Sequence, residues 1–349
     1  MMEKYDDMVT QQDVAERAGV SRSVVSYVLN NGPRKVSEET RQRVMDAIQE
    51  LGYRPNKHAQ RLKQGSAAAI NTIGIVTGGK SYNMLKRPYY NLVLAGLFDS
   101  AHQFNQNIRF FCFFDALKDP VFFNKNIHPE EISSLILFLP KMMINTPGHA
   151  EILDAMIERI DNIICLEDSI WDLPAVIFDR AAAAYMAVEH LIKLGHQRIG
   201  FLAIDDQRKH GYKQALLENN LPYDETLIHI LSEVEPTESA YAQTLELLQR
   251  DHPPTAIFTA NDEAGIAAIA ALHDQGLRVP DDVAIASIDN IDLAGMIRPA
   301  LTTVDVPKRR MGAYAIQFLL SQRNIASPQS ASMVLPIKLI VRDSCGAQS

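Results

Sequence analysis

The chain has 349 residues, with 34 Lys and Arg against 42 Asp and Glu, a net charge of −8, and 47% hydrophobic residues. That length asks for two or three compact units rather than one small module. The polar, acidic N-terminus has no signal-peptide core, and no apolar run approaches a membrane span, so an exported or membrane protein is excluded in favour of a cytoplasmic one.

Charge is uneven along the chain. Residues 1–65 carry 11 Lys and Arg against 9 Asp and Glu, and the remainder 23 against 33, so only the N-terminal part suits a polyanion. There, residues 10 to 31 read TQQDVAERAGVSRSVVSYVLNN. Thr10 can cap a helix that carries Val14, Ala15 and Ala18 on one side, and Gly19 breaks it. Ser21 can cap a second helix, where Val24, Val25, Val28 and Leu29 recur at three- and four-residue steps. Two short helices that touch, bend and lock in this way make a helix-turn-helix, with the polar face left for DNA. Ser37 can cap a third helix that runs to about Leu51, with Val44, Ile48 and Leu51 inward and Gly52 at its end. The segment from Tyr53 to Gly65, YRPNKHAQRLKQG, is basic and nearly devoid of core residues. It is expected to fold only when docked on something.

From Thr72 onward, short apolar runs (NTIGIV, SSLILFLP, NIICLE, AVIFD, RIGFLA, TAIFTA, VAIASID) alternate with helical patterns such as Ala181 to Leu194 and Asp262 to Gln275. Alternation of this kind gives parallel sheets covered by helices, and the number of strands calls for two such subdomains. Cys112, Cys165 and Cys345 are scattered, odd in number and without metal-ligand spacing, so they read as reduced, buried thiols. His196, in LGHQRIG, fits a helix-to-strand corner, where a histidine satisfies local backbone groups. No G-x-S-x-G, H-E-x-x-H, P-loop or cysteine-histidine cluster occurs, so no enzyme activity, metal or cofactor is expected.

The strings DVAERAGVS, VSEETRQRVMDAIQELGYRPN, HLIKLGHQRIGFLA, AIFTANDEAGIAAI, VPDDVAIASIDN, RPALTTVDVP and LIVRDS are spread over nearly the whole length. By them the chain resembles the lactose-repressor (LacI/GalR) family of bacterial transcription regulators. The resemblance implies an all-α three-helix helix-turn-helix DNA-binding domain (1–54) and a hinge helix with linker (55–71). An α/β effector-binding and dimerisation domain follows (72–349), made of two doubly wound subdomains similar to periplasmic binding proteins. These would comprise about 72–178 with 304–330, and about 179–303 with 331–349. The stretch from Lys80 to Pro174 fits the family in its order of elements but not in its sequence.

Ligands of open α/β sheets bind beyond the carboxyl ends of strands, so a cleft between the two subdomains is the expected effector site. Asp289 ends VAIASID, and Asn261 ends TAIFTA. Arg208 stands where the family has an effector-binding arginine. Arg208 and Asp289 together would clamp adjacent hydroxyls, one as a fork of donors and one as an acceptor, which favours a polyol or sugar. Asn261 either does the same or simply caps the next helix. Tyr89 and Tyr90 match a family stretch facing the cleft; one of the pair is expected in the core, and Tyr90 is the expected one. Glu167 aligns with an acidic ligand contact, and Trp171 either stacks on a ligand or covers a subdomain edge. Between RIGFLA and Arg208 the loop is shorter than is usual in the family, and Lys80 to Arg87 is longer and more basic.

For DNA, the second helix would place Arg22 and Ser23 at base edges, with Ser21 at its start and Ser26 and Tyr27 one turn on. The family usually has an arginine where Tyr27 stands. Thr10, Asn30 and Lys35 read as phosphate contacts that fix register. By resemblance, Asn56, Ala59, Leu62 and Lys63 belong to a minor-groove hinge helix in which Leu62 wedges between base steps. The partners implied are an operator duplex, a small-molecule effector and a second copy of the chain. The chain ends soon after LIVRDS without a heptad helix, so a homodimer is expected. The effector would release the operator; the alternative is a co-repressor such as a nucleobase or a phosphorylated metabolite.

Overall fold

A computed structural model of the protein describes residues 9–30, 36–53, 71–79, 81–144, 148–232, 236–322 and 332–347. Lys35 and the expected hinge residues Asn56, Ala59, Leu62 and Lys63 lie outside the described residues.

The N-terminal domain is three helices, α1 (Gln11–Ala18), α2 (Arg22–Asn30) and α3 (Glu38–Leu51). Helix α1 starts at a reciprocal capping box. The Thr10 hydroxyl accepts from the backbone N–H groups of Gln12 and Asp13, while the Asp13 carboxylate accepts from Thr10 N at 2.6 Å. It stops at Gly19, whose φ of 65° a residue with a Cβ would resist. Val14, Ala15, Ala18, Val25, Val28, Val44, Ala47 and Ile48 form the buried core, with Val24, Leu29 and Leu51 at its margin. Tyr53, which the sequence reading placed in the basic segment, instead closes this core at 3% exposure. Its N–H bonds back to Ile48 O at 3.1 Å, so the chain folds over the end of α3 before it leaves.

The following elements are β1 (Thr72–Thr77), α4 (Ser81–Lys86), α5 (Pro88–Gln103), β2 (Asn107–Phe113), α6 (Pro120–Asn126), β3 (Ser134–Phe138), α7 (Lys141–Ile144), α8 (His149–Arg159), β4 (Ile163–Leu166) and β5 (Ala175–Phe178). Then come α9 (Arg180–Lys193), β6 (Ile199–Ala203), α10 (Gln207–Glu218), β7 (Ile228–Ile230), α11 (Pro236–Leu248), β8 (Ala256–Thr259), α12 (Asp262–Asp274) and β9 (Ala284–Asp289). The last are α13 (Asp292–Met296), β10 (Thr302–Asp305), α14 (Lys308–Gln322), β11 (Ser332–Leu335) and β12 (Lys338–Ile340).

Two six-stranded sheets result, ordered β11-β5-β4-β3-β1-β2 and β12-β10-β9-β8-β6-β7. In the second, β7, β6, β8, β9 and β10 run parallel, and β12 returns antiparallel on β10. Strands such as Ser134–Phe138 and Ala284–Asp289 are buried along their whole length, which explains why they read as unbroken apolar runs rather than alternations. The chain divides into two compact units, one of residues 1–81, 97–176 and 313–332 and one of 82–96, 177–312 and 333–349. In the second sheet the strand order reverses between β6 and β8, and loops beyond the carboxyl ends of strands at such a reversal are where doubly wound sheets bind ligands.

Candidate functional site

Helix α2 exposes Ser21, Arg22 and Ser23 at its start, while Ser26 and Tyr27 are half-buried one turn on. Val25 and Val28 face the core, so the polar residues of α2 are left on its outer side. The Thr10 hydroxyl, expected at a phosphate, is committed to the α1 cap. Asn30 is the last residue of α2.

The second unit gathers Tyr89, Tyr90, Arg208, Asn261 and Asp289, whereas Glu167 belongs to the first. Asp289 is the last residue of β9, 6% exposed, at φ 123°, a strained backbone conformation for a residue other than glycine. The buried Lys308 holds that strain in place. Its ammonium donates to the carbonyl oxygens of Asp289, of Asn290 at 3.1 Å and of Val306 at 2.9 Å. Among the described residues nothing donates a hydrogen bond to the Asp289 carboxyl. Burial and the neighbouring Asp262 push its pKa well above the usual carboxylate value, against the pull of Arg87, Lys308 and Arg208.

Asp262 opens α12 and is fully buried. It accepts from the Ser287 hydroxyl, from Thr303 Oγ1 at 2.6 Å and from Ile291 N at 2.7 Å, which ties β9, β10 and the loop after Asp289 to one helix. Burial raises its pKa in spite of those bonds. Asn261 takes the capping role of the two open to it: its Oδ1 accepts from Ala264 N at 2.9 Å.

Arg208, near the start of α10, uses each of its side-chain nitrogens. Nε and Nη2 lie 3.0 and 2.6 Å from the Asp206 carboxylate, and Nη1 donates to Ala260 O at 2.8 Å. Asp206 also caps α10 through Arg208 N. Burial would raise the pKa of Asp206, but the charge and hydrogen bonds of Arg208 leave it lowered. The short loop seen in the sequence thus has a consequence that was not read there: it lays a carboxylate on the arginine.

Arg87 was missed as a site residue. Its Nε donates to Glu263 Oε2 at 2.8 Å, its Nη1 to Tyr90 OH at 3.3 Å, and its guanidinium sits 4.9 Å from the centre of the Tyr90 ring. Burial works against its charge, but Tyr90, Glu263 and Asp289 outweigh burial and its pKa is raised. The available signal was an arginine directly before Pro88 at the end of a basic stretch. The tyrosine pair reverses the expectation: Tyr89 is the core member, 4% exposed with its hydroxyl on Met311 Sδ at 3.6 Å, and Tyr90 is the one that meets an arginine.

In the first unit, Glu167 follows β4, buried and at φ 82°, and Trp171 is 46% exposed in the loop beyond it. His196 Nδ1 lies 3.0 Å from Thr255 Oγ1, a side chain 59 residues along the chain rather than the local backbone groups expected of it. All three cysteines are free and buried, and burial pushes Cys112 and Cys165 up to about 12, so neither is a ready nucleophile. Among the described residues no group of His, Cys, Asp and Glu is arranged to hold a metal, and no helix is long and apolar enough to cross a membrane.

A three-helix DNA reader joined to doubly wound units with polar groups beyond their strand ends defines a DNA-binding regulator with a ligand-sensing domain. Residues 10–56 match the model of bacterial regulatory proteins of the lacI family, and residues 188–345 that of a periplasmic binding protein-like domain. Catabolite control protein A of Priestia megaterium is 30% identical over 96% of this chain and 99% of its own length. The transcriptional repressor PurR of Actinobacillus pleuropneumoniae is 31% identical over 92% of this chain and 93% of its own. Among solved structures, the regulator CelR in complex with cellobiose superposes with a TM-score of 0.68 at 26% identity, covering 96% of this chain and 99% of that one. The lac repressor dimer bound to operator and the anti-inducer ONPF gives 0.65 at 26% identity, covering 97% and 99%. The chain belongs to the lacI family of bacterial transcriptional regulators.

Proposed function

We propose that this protein is a homodimeric, cytoplasmic repressor that holds a near-palindromic operator and releases it when an uncharged, hydroxyl-rich effector of the sugar class binds beside Asp289. The observation that carries the effector reading is Asp289 itself. It is a buried acceptor, pinned in a strained conformation and given no donor among the described residues, beyond the carboxyl end of β9, the neighbour of β8 at the sheet's reversal. A ligand hydroxyl would satisfy that carboxyl, and burial would make the bond worth more than one in water. The complex with cellobiose formed by a relative supports the same class. Binding and release, not turnover, is the activity assigned.

On the DNA side, Ser21, Arg22, Ser23, Ser26 and Tyr27 read the major groove. Asn30 and Lys35 set register, the Thr10 hydroxyl being spent on the α1 cap, and Asn56, Ala59, Leu62 and Lys63 form the hinge contact with the minor groove. The division into reader (1–54), hinge (55–71) and effector domain (72–349) is part of this proposal.

The test is operator selection from a random duplex pool with the full chain. Gel shifts on the selected site follow, with cellobiose, ribose and other neutral sugars added. Release by one of them is expected, whereas tighter binding in the presence of a purine would move the protein to the co-repressor reading. Leu62→Ala should abolish the operator bend seen by gel permutation while leaving sugar affinity intact. No preference for any duplex over random competitor refutes the proposal as a whole.

A further inference from the structure

Two arginines act on Asp289, and each already carries a carboxylate. Arg208 is gripped by Asp206, with Nη2 at 2.6 Å and Nε at 3.0 Å, and its third nitrogen is spent on Ala260 O. Arg87 is gripped by Glu263 at 2.8 Å, with only 16% of its side chain and 19% of its partner's exposed. The planar forks with which arginines recognise phosphate and carboxylate groups are therefore turned inward, on acids of the chain itself. Lys308, the other buried cation of the group, is occupied by three backbone carbonyls. An incoming anion would have to displace a largely shielded carboxylate, 26% exposed for Asp206 and 19% for Glu263, and so would gain one ion pair only by breaking another. A hydroxyl-bearing neutral molecule meets no such conflict, since Asp289 and the unused guanidinium N–H groups can serve it as they stand.

We propose that Asp206 and Glu263 are built-in counter-ions that set the charge selectivity of the effector site: by filling the forks of Arg208 and Arg87 they admit an uncharged polyol and turn away its phosphorylated or carboxylated form. This rests on the effector site lying at Asp289, and it names the feature that divides the sugar class. The short loop between β6 and α10 supplies one counter-ion, and the residue after Asp262 supplies the other. Specificity here is rejection of the wrong ligand as much as capture of the right one.

The experiment measures binding of inorganic phosphate, glucose 6-phosphate, glucose, ribose and cellobiose to the full chain by calorimetry at fixed ionic strength. The variants are Glu263→Gln, Asp206→Asn and each combined with its arginine changed to methionine (Arg87→Met or Arg208→Met). Both amides are isosteric with the acids they replace, and Asn retains the cap of α10. Each single variant should bind phosphate or glucose 6-phosphate at least about tenfold tighter than the wild type, equal to about 1.4 kcal/mol. The paired arginine change should erase that gain. Two results overturn the proposal: single variants as indifferent to both anions as the wild type, or a wild type that prefers glucose 6-phosphate to glucose. The second arm uses no variant, so it decides even where a variant fails to fold. If the variants gain anion binding while the wild type ignores every neutral sugar, the counter-ion role stands and the sugar reading of the effector falls.

Discussion

Asp262→Ala should unfasten the strand ends that carry the proposed effector site. The carboxylate receives two hydroxyls, Ser287 and Thr303, and one backbone N–H, that of Ile291, all buried. Alanine orphans the three together. The hydroxyls can turn, since Ser287 Oγ already lies 3.4 Å from Ile288 O and 3.3 Å from Thr303 Oγ1, but the Ile291 N–H has no second acceptor within the site. One stranded backbone donor costs about 1–3 kcal/mol and two partly compensated hydroxyls add about 1–2 more, while removal of a desolvated carboxylate returns part. The net loss is about 2–4 kcal/mol, or roughly 4–16 °C in Tm for a unit of this size. Asp262→Asn is the diagnostic partner. Its carbonyl can keep Ile291 N and its NH2 can donate to both hydroxyls, which are able to accept, so its cost should stay below about 1.5 kcal/mol. Urea denaturation of the full chain followed by tryptophan fluorescence and circular dichroism measures both. A cost for alanine below about 1 kcal/mol, or equal costs for the two variants, refutes the view that hydrogen-bond satisfaction at this carboxylate fastens the site.

Asp289→Asn should leave the fold at least as stable as the wild type at pH 7. The folded-state pKa of Asp289 is raised, so its contribution is full below the unfolded value near 3.8 and is lost as pH climbs through the raised value. The advantage of Asn over wild type should therefore be present at neutral pH and vanish towards pH 4, and a difference that grows on acidification contradicts the assignment. The same variant should weaken binding of whichever sugar releases operator by about tenfold or more, the share of a hydrogen bond to a charged or strongly polar acceptor. Thr10→Ala removes the α1 cap and should cost the N-terminal domain about 1 kcal/mol in thermal denaturation; an unchanged Tm would mean the capping box is unformed in solution. Arg22→Ala, on an exposed side chain, should leave Tm unchanged and weaken selected operator by about 1–3 kcal/mol, with relaxed preference at one base pair in a repeated selection.

What the sequence made legible was what depends on near neighbours. Thr10, Gly19 and the valines of α2 declare helix starts, stops and faces within a few residues of one another, and the three-helix core follows from them with Tyr53 alone misplaced. The placement of Asp289 was legible because an acidic residue at the end of a wholly buried strand has few places to go except beyond the sheet. Tyr89 and Tyr90 were not distinguishable: adjacent residues at a helix start face different sides, and only the position of Met311, far along the chain, decides which is buried. The Arg87–Glu263 pair spans 176 residues and leaves no local trace.

The Asp206–Arg208 pair, by contrast, spans two residues, and it was overlooked for a different reason. An arginine in a ligand-binding position invites the assumption that its fork is open, and the shortened loop stood out for its length rather than for the carboxylate it delivers to that fork. The physical lesson concerns charge bookkeeping at a buried site. A cation held out of water must be neutralised by something, and whether that partner is the ligand or the chain decides what the ligand can be. Here Asp206 and Glu263 do the neutralising, Lys308 is consumed by carbonyls, and among the described residues nothing donates to the Asp289 carboxyl. A site with these cations satisfied and one acceptor in want of a hydroxyl suits the neutral polyol proposed for it.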